Sequence, residues 1–394
     1  MKKKNTRFAI LFSCLLIGGC VAAALMTFNQ NSATQAHSAA HSTGKNTSIP
    51  PKHTRMTSFA IDWRRTAIDR RIQQSGFSGS VLVVSHGKVV LSKGYRLSNS
   101  HNGRRNQPLT TYYVGSTTKS ITAVAFMQMR ERGLIHFNDP VSRFYPNFPN
   151  GNKITMLDLL CHVSGLGNVM ETMQPVTRDQ LVQRIALHSL RLASKPGTVW
   201  HYSDTNYALL GAILDKVSSS AFHESLHDYI RQFIFQRAGM LHSGFGDEML
   251  HSAYRSTGYV IVDGHAFSEQ IPSFSQLIGC GDIYSTSWDM YLFDHAIADS
   301  TLLSKASVHE LLSRHFPGTS YSCGWYIGRK GWGNDTYSSH GVLGGWNGSN
   351  AFTQDKQSYV VLLSNVRSSE FEISTLNTMI FHTLQETKNQ KGGK

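Results

Sequence analysis

Three stretches of the chain combine residue types that do chemistry together. The first is GSTTK, Gly115 to Lys119, which sets a hydroxyl at Ser116 and an amine at Lys119. The apolar run SITAVAFM follows, so the spacing predicts a helix from Ser116 to Arg132 closed by Gly133. Residues i and i+3 of a helix share a face, with Cβ atoms about 5–6 Å apart, so Lys119 reaches back to Ser116. The same S-x-x-K spacing at Ser42/Lys45 and Ser85/Lys88 falls in a polar tract and at a hairpin turn, where it imposes no geometry. Ser116 could serve only as a helix N-cap, but that role leaves the lysine unexplained. An ammonium entering beside inward-facing residues is costly unless it is paired or deprotonated. As a neutral amine it can take a proton from the serine and make it a nucleophile. Free N–H groups at the helix start would favour the oxyanion formed in acyl transfer.

The second stretch, PGTVWHYSDTNYALLG, sets Tyr202 on a loop just before a helix, where a phenol near a lysine can act as phenolate or proton shuttle. Asp204 two residues later can cap that helix. The third, YSSHGVLGGWNGSNAF, reads as a strand and a glycine-rich turn, with His340 offering a donor beside a substrate laid along the strand edge. A fourth pattern points elsewhere. His223-Glu224-Ser225-Leu226-His227 is H-E-x-x-H, which on a helix presents two imidazoles to zinc, and Asp247 or Glu248 could add a third ligand. Phe222, Leu226, Tyr229, Ile230 and Phe233 form the apolar stripe of that helix and place both histidines at its border, as on an ordinary surface helix. The reading adopted has no metal and no cofactor.

The elements that must position these groups follow from periodicity. GSVLVVSHGKVVLSKGYR, Gly79 to Arg96, is a hairpin turning at SHGK. Residues 116 to about 316 read as mostly helical, including Arg178 to Ser189, Thr205 to Val217, Phe222 to Arg237 and Trp288 to Ile297. Strands return in CGWYIG, YSSHGV, SNAFTQ and SYVVLLSN before a last helix near Phe371 to Gln385. Both ends of the chain thus make strands and the middle makes helices. The economical assembly is α+β: one antiparallel sheet flanked by terminal helices, with an inserted all-helical lobe.

Outside this domain, Lys2, Lys3, Lys4 and Arg7 precede an uncharged run from Phe8 to Phe28, about the length that spans a bilayer. The expectation is a membrane anchor over residues 1–28, the rest lying outside the cell at the cell membrane. A cleaved signal peptide, or a lipoprotein processed at Cys20, is the alternative. Residues 29–57 are too polar to fold and read as a tether; 58–388 form the domain and 389–394 a basic tail. Cys161, Cys280 and Cys323 stand at no metal-ligand spacing and are expected as free thiols. The four basic residues before the apolar run account for four of the +13 formal charge and leave +9. That excess suits an anionic cell-wall polymer, and no nucleic-acid recognition module is present.

In order, GSTTK, YSD and HG resemble the boxes of the serine β-lactamase and penicillin-binding protein superfamily, closest to its class C-like carboxypeptidases and esterases. FNDPVSRFYP, LLCHVSGL and GDIYSTSWDM look familiar as well. The resemblance covers about residues 58 to 388 and implies a β-lactamase/transpeptidase-like fold. It further implies Ser116 as acylated nucleophile, Lys119 as proton acceptor, Tyr202 as partner base, and an oxyanion hole from the amides of Ser116 and a residue near Val342. Two departures stand out. Asp204 replaces the usual Asn of the second box, and Gly341 follows His340 directly where the third box has Lys or His, any residue, then Gly; a one-residue deletion, or an alternative register on LGG, would account for this. The Asp also occurs in relatives that act on esters, including teichoic-acid D-alanyl esterases of Gram-positive bacteria. The expected activity is therefore a D-alanyl esterase on teichoic or lipoteichoic acid. A D,D-carboxypeptidase or penicillin-binding protein acting on peptidoglycan is the alternative, followed by a β-lactamase, another esterase or a non-catalytic wall-binding protein.

Overall fold

A sheet covered on both sides must make its inner strands apolar on both faces, and the run Val81-Leu82-Val83-Val84 of the first hairpin does so. The computed structural model describes residues 62–329, 335–368 and 372–386; the anchor, the tether and the basic tail lie outside them. Strand β1, Gly79–Ser85, is buried throughout. Its side chains alternate between two cores: Val81 and Val83 face one, Leu82 and Val84 the other. It turns through His86 and Gly87, both with positive φ, into β2, Lys88–Tyr95. Five further strands complete the sheet: β3 Tyr321–Ser322, β4 Trp325–Ile327, β5 Thr336–Leu343, β6 Trp346–Thr353 and β7 Ser358–Ser364. Their order is β3-β4-β5-β6-β7-β1-β2, with every neighbouring pair antiparallel. The strands of the C-terminal third thus pair onto the N-terminal hairpin through β7 and β1, which closes the sheet from both ends of the chain.

The terminal helices cover one face. Ile68 and Ile72 of α1, Trp63–Gln74, join Ile373, Leu376, Ile380 and Phe381 of the C-terminal helix, Ile373–Gln385, against Val81, Val83, Val360 and Leu362. The other face receives the inserted lobe, which is not all-helical as expected: Ile283–Ser285 pairs with Tyr112–Tyr113 and with Gly244–Phe245, and Tyr259–Val262 pairs with His265–Phe267. Its central helices are α2, Thr118–Glu131; α3, Arg178–His188; α4, Asp204–Phe222; α5, Leu226–Ile230; and α6, Ser287–Ala298. The C-terminal helix is α7. Helix α2 is buried from Thr118 through Met129, because sheet and lobe enclose it on all sides.

One predicted element is corrected. Phe222 to Arg237 is not a single helix: α4 runs on to Phe222 and stops at His223, whose φ of 59° is left-handed. A new helix starts at Leu226, with the Ser225 hydroxyl accepting from the Asp228 amide as its N-cap. His223 and His227 therefore do not share a helix face. Truncation of a core residue on the sheet should be costly while leaving the distant site assembled. Leu362→Ala is expected to lower unfolding free energy by about 2–5 kcal/mol in urea titration, and a loss below about 0.5 kcal/mol would show that the two-sided sheet is not the organising core.

Candidate active site

Ser116 lies in a single 3-10 turn, Gly115–Thr117, that leads into α2. It makes no side-chain cap, so the capping role is not the one it fills. Its hydroxyl instead accepts a 2.9 Å hydrogen bond from Lys119 Nζ. Lys119 is 0% exposed. The same ammonium donates at 2.9 Å to the carbonyl of Cys280 and stands 2.5 Å from Asp204 Oδ1. Its Nζ also lies 5.2 Å from the centre of the Tyr202 ring and 5.9 Å from that of Tyr207. Asp204 is the first residue of α4, preceded by Ser203 as N-cap, and its carboxylate turns to the lysine rather than to the helix.

These contacts revise the expected charge of the lysine. Burial pulls the Lys119 ammonium down, but the Asp204 carboxylate, followed by the Tyr202 phenol, outweighs it and holds the group above the ordinary lysine value. Lys119 is a cation here, not the neutral amine expected from its burial alone. Next to it, burial first and the Lys119 charge second push His162 well below its usual value, so this imidazole is neutral. His162 packs its ring 4.4 Å from that of Tyr202 and accepts from the Ser203 amide at 3.3 Å, which fixes the loop carrying the phenol. Sequence reasoning did not single out His162, although it sits in LLCHVSGL. The Tyr202 phenol makes no hydrogen bond to Ser116 or Lys119; its ring lies beside the ammonium.

The segment that supplies the Cys280 carbonyl is tied at each step. Gly279 O accepts from Thr122 Oγ1 at 2.9 Å, the Ile283 amide donates to Thr118 Oγ1 at 3.3 Å, and the Asp282 carbonyl accepts from the Gly246 amide at 2.8 Å. His227 belongs to this support, since its Nε2 lies 2.7 Å from Asp282 Oδ2, a carboxylate that is 1% exposed. The H-E-x-x-H histidine thus braces a backbone segment. Among the described residues no group of three or more His, Cys, Asp or Glu side chains is placed to hold a metal. Cys161, Cys280 and Cys323 are buried free thiols.

Strand β5 lies directly against the start of α2. A Cβ on Gly341 would stand 1.9 Å from the Val114 carbonyl oxygen and 2.8 Å from the Ser116 and Thr117 amides. Gly115, with φ of +50°, meets the backbone of Val342 in the same way, at 2.6 Å for its carbonyl oxygen and 2.8 Å for its nitrogen. The structure therefore brings together Ser116, Lys119, Tyr202, Asp204, Gly341 and Val342, and sets the backbone of Val342 beside the turn that holds Ser116.

His340 is not with them. Neighbouring residues of a strand point to opposite faces, so Gly341 against Ser116 sends His340 the other way. His340 pairs in register with Ser349, whose hydroxyl accepts from Asn377 of α7. Its Nε2 is hydrogen-bonded to Asn347 Oδ1 at 2.8 Å, on the face of the terminal helices. β5 and β6 pair without interruption from Thr336/Thr353 to Leu343/Trp346, and Gly344-Gly345 forms their turn. The residue two before Gly341, on its own face, is buried Ser339, which donates to Asn350 Oδ1 at 2.5 Å. Sequence alternation alone held this information.

A serine in the turn before a helix, bonded to a buried lysine and closed by a strand running along the helix start, is an arrangement with the parts that serine acyl transfer requires. The chain belongs to the beta-lactamase family, which its residues 64–384 match. It is a hydrolase of the β-lactamase and penicillin-binding protein type, with an α+β fold. It is 33% identical over 392 residues, 98% of this chain and 96% of the other, to PbpX, a Bacillus subtilis protein named for penicillin binding. It is 31% identical over 265 residues to a teichoic acid D-alanine hydrolase of Staphylococcus aureus, covering 66% of this chain and 65% of that one. The crystal structure of FmtA from Staphylococcus aureus matches with a TM-score of 0.73 and 25% identity, over 88% of this chain and 94% of that one. A D-amino acid amidase from Ochrobactrum anthropi matches at 0.67 and 21% identity, over 82% and 97%, a likeness of fold alone.

Gly341→Ala is expected to force β5 off the nucleophile turn and to lower kcat/KM at least tenfold with folding retained by circular dichroism; unchanged kinetics would show that the close approach is dispensable. His227→Ala should leave Asp282 buried without its partner and lower stability by about 1–3 kcal/mol in urea titration. A metal chelator should not alter the activity of the parent, and loss of activity to the chelator would restore the zinc reading.

Proposed function

We propose that this chain is an ester hydrolase that removes D-alanine from teichoic or lipoteichoic acid through an acyl-enzyme on Ser116, working outside the cell from a membrane anchor in residues 1–28. The observation that carries the reading is the 2.5 Å ion pair between Asp204 and Lys119. It puts a carboxylate that is still 41% exposed next to the amine that touches Ser116. A D-alanyl ester arrives with a positive α-ammonium, which the solvent-facing side of the Asp204 carboxylate is able to receive, whereas a peptide ending in D-alanine would bring a like-charged carboxylate to it. The similarity to a teichoic acid D-alanine hydrolase supports the same substrate. An aromatic ladder adds to it: Tyr202 meets Tyr321 at 6.0 Å, Tyr321 meets Tyr326 at 4.9 Å, and Arg329 lies 4.3 Å over the Tyr326 ring, a cation suited to a phosphate backbone.

In this mechanism Ser116 Oγ attacks the ester carbonyl carbon while its proton passes to Lys119, which gives one of its own protons to Asp204. The Ser116 and Val342 amides receive the carbonyl oxygen as it becomes negative. The bond from carbon to the polymer oxygen then breaks, and Lys119, with the Tyr202 ring beside it, gives a proton to the leaving alcohol and takes back the one held by Asp204. Water attacks the acyl-serine by the reverse proton path and releases D-alanine. Lys119 thus acts as a charged relay between alcohol and carboxylate. The second reading, a D,D-carboxypeptidase on peptidoglycan stem peptides, is supported by the near full-length likeness to a protein named for penicillin binding.

Incubation of the full-length protein with D-alanylated lipoteichoic acid, and separately with a peptide ending in D-Ala-D-Ala, separates the two. Release of D-alanine from the polymer alone is the expected result; release from the peptide alone, with acylation by labelled penicillin, assigns the second. Ser116→Ala should abolish turnover with the fold intact. Asp204→Asn should lower kcat by about 10²–10⁴-fold, the usual worth of a proton acceptor, and full activity in that variant would remove the relay.

A further inference from the structure

His162 follows the short helix Met156–Leu160 and is buried, and its φ of 59° is left-handed, a conformation that is unfavourable for any residue with a Cβ and least so for Asn. From there it holds three of the six residues in HYSDTN, His201 to Asn206. Its carbonyl accepts from the His201 amide at 2.8 Å. Its Nδ1 accepts from the Ser203 amide at 3.3 Å and lies 3.2 Å from Asn206 Nδ2. Tyr202 is thus tied through both of its chain neighbours, and its ring packs 4.4 Å from the imidazole. Asp204, the carboxylate paired with Lys119, lies between Ser203 and Asn206 in the same grip.

The tautomer of the imidazole follows from these donors. A backbone N–H only donates, so Nδ1 presents its lone pair to Ser203. Asn206 agrees: its Oδ1 accepts from the Ser164 hydroxyl, which itself accepts from the Leu166 amide, so the NH2 end is turned to the imidazole. The ring proton therefore sits on Nε2. That nitrogen is buried and, among the described residues, has no hydrogen-bond partner. The rings of Tyr202, Tyr207 and Tyr321 surround the imidazole at 4.4, 5.2 and 4.7 Å. A left-handed backbone and an unsatisfied buried N–H at one residue both work against folding, and such features persist where the arrangement serves a site.

A second proton on this ring could go only to Nδ1. The new N–H would point at the Ser203 amide and the Asn206 NH2, find no acceptor there, and break both hydrogen bonds. The neighbouring charges oppose the same step: Lys119 of α2 and His201 of the loop before α4 act on the ring as cations, and the other groups packed on it are the phenols of Tyr202, Tyr207 of α4 and Tyr321 of β3. Burial first and the Lys119 charge second keep the ring neutral until well below the usual histidine value.

We propose that His162 is a positioning residue for the Asp204–Lys119 pair and the Tyr202 ring, working only as the imidazole protonated at Nε2, so that a proton taken from water onto Nδ1 releases the start of α4 and silences Ser116. The proposal rests on the acyl-enzyme reading of Ser116. It adds a proton-sensitive latch behind the site, through which the hydrolase loses activity in acid by losing alignment while its nucleophile is intact.

The test uses the full-length protein, the D-alanyl ester of glycerol and two variants that divide the functions of the imidazole. His162→Asn offers an amide oxygen near the place of Nδ1, suits a left-handed φ and does not titrate. His162→Phe keeps a ring against Tyr202 and has no acceptor. Near neutral pH His162→Asn is expected to stay within a few-fold of the parent in kcat/KM, and His162→Phe to lose about ten- to a hundredfold, the usual effect of a small misplacement. As pH falls below the ordinary histidine range, the parent should lose activity more steeply than His162→Asn, because their carboxylates titrate alike. A His162→Asn as slow as His162→Phe, a His162→Phe as fast as the parent, or equal acid limbs in parent and His162→Asn overturns the proposal. Should circular dichroism show His162→Phe unfolded, the two acid limbs decide alone. Independently of turnover, 15N shifts of the ring, assigned by their absence in His162→Asn, should show a protonated Nε2 and an accepting Nδ1; a proton on Nδ1 overturns the proposal even if the ester is cleaved. If the parent cleaves no ester while the ring shows the expected tautomer, the reading of Ser116 is what falls, and the latch loses the reaction it was to control.

Discussion

An ammonium with no water around it must have every proton accepted by the protein, and Lys119 meets that condition with three oxygens of different kinds. A serine hydroxyl, a backbone carbonyl and a carboxylate surround it at 2.9, 2.9 and 2.5 Å. Removing one partner of a buried charge of this kind typically costs about 3–5 kcal/mol. The surrounding structure is therefore obliged to hold all three acceptors at once. Each comes from a different part of the chain: the start of α2, the segment after Gly279, and the first turn of α4. The lysine is what requires these elements to meet, and their meeting is what gives Ser116 a polarised environment. The hydroxyl beside a fixed cation is easier to ionise, and Asp204 offers somewhere for the proton to go.

The second constraint is steric and comes from β5. A strand can pass within contact of a helix start only where both backbones are bare, and Gly341 meets Val114 to Thr117 as Gly115 meets Val342. The two glycines are reciprocal. Their approach orients the backbone of Val342 relative to Ser116 with no side chain to adjust, so the geometry is set by the sheet and not by a rotamer. The sheet in turn is rigid because both faces are covered, with Val81 and Val83 on one core and Leu82 and Val84 on the other. Strands β1 and β7, from the two ends of the domain, pair side by side within it, so neither end can loosen without opening the platform.

How much of this was legible depended on the range of the interaction. Local periodicity fixed the hairpin at His86-Gly87, the helix after Ser116 and the two-ended sheet, because apolar runs and turn residues report local structure directly. Alternation should also have excluded His340: a side chain adjacent to Gly341 cannot share its face, whatever the family pattern expects. The H-E-x-x-H motif likewise carried its own contradiction, since Ser225 with Asp228 three residues on is a helix-start signal inside the supposed helix. Other features had no local signal. That Asp204 turns to Lys119 instead of capping α4, that His227 braces Asp282, and that His162 fixes the Tyr202 loop are contacts across about 40 to 85 positions, created only when the lobe closes. The charge state of Lys119 followed the same divide. Its burial was readable from SITAVAFM, but the carboxylate that reverses the effect of burial is supplied from a distance.

Charge acts at two scales in this chain. Beyond the four basic residues before Phe8, the chain retains an excess of nine positive charges, a field that draws a polyanion from solution and weakens with salt. At Ser116 the charges are balanced instead, since the Lys119 ammonium is paired with the Asp204 carboxylate. The proposed substrate, a phosphate polymer bearing aminoacyl esters, matches the long-range field through its backbone. Long-range attraction of this kind raises the rate of encounter, whereas the balanced pair at Ser116 can move a proton without adding net charge beside the carbonyl that is attacked.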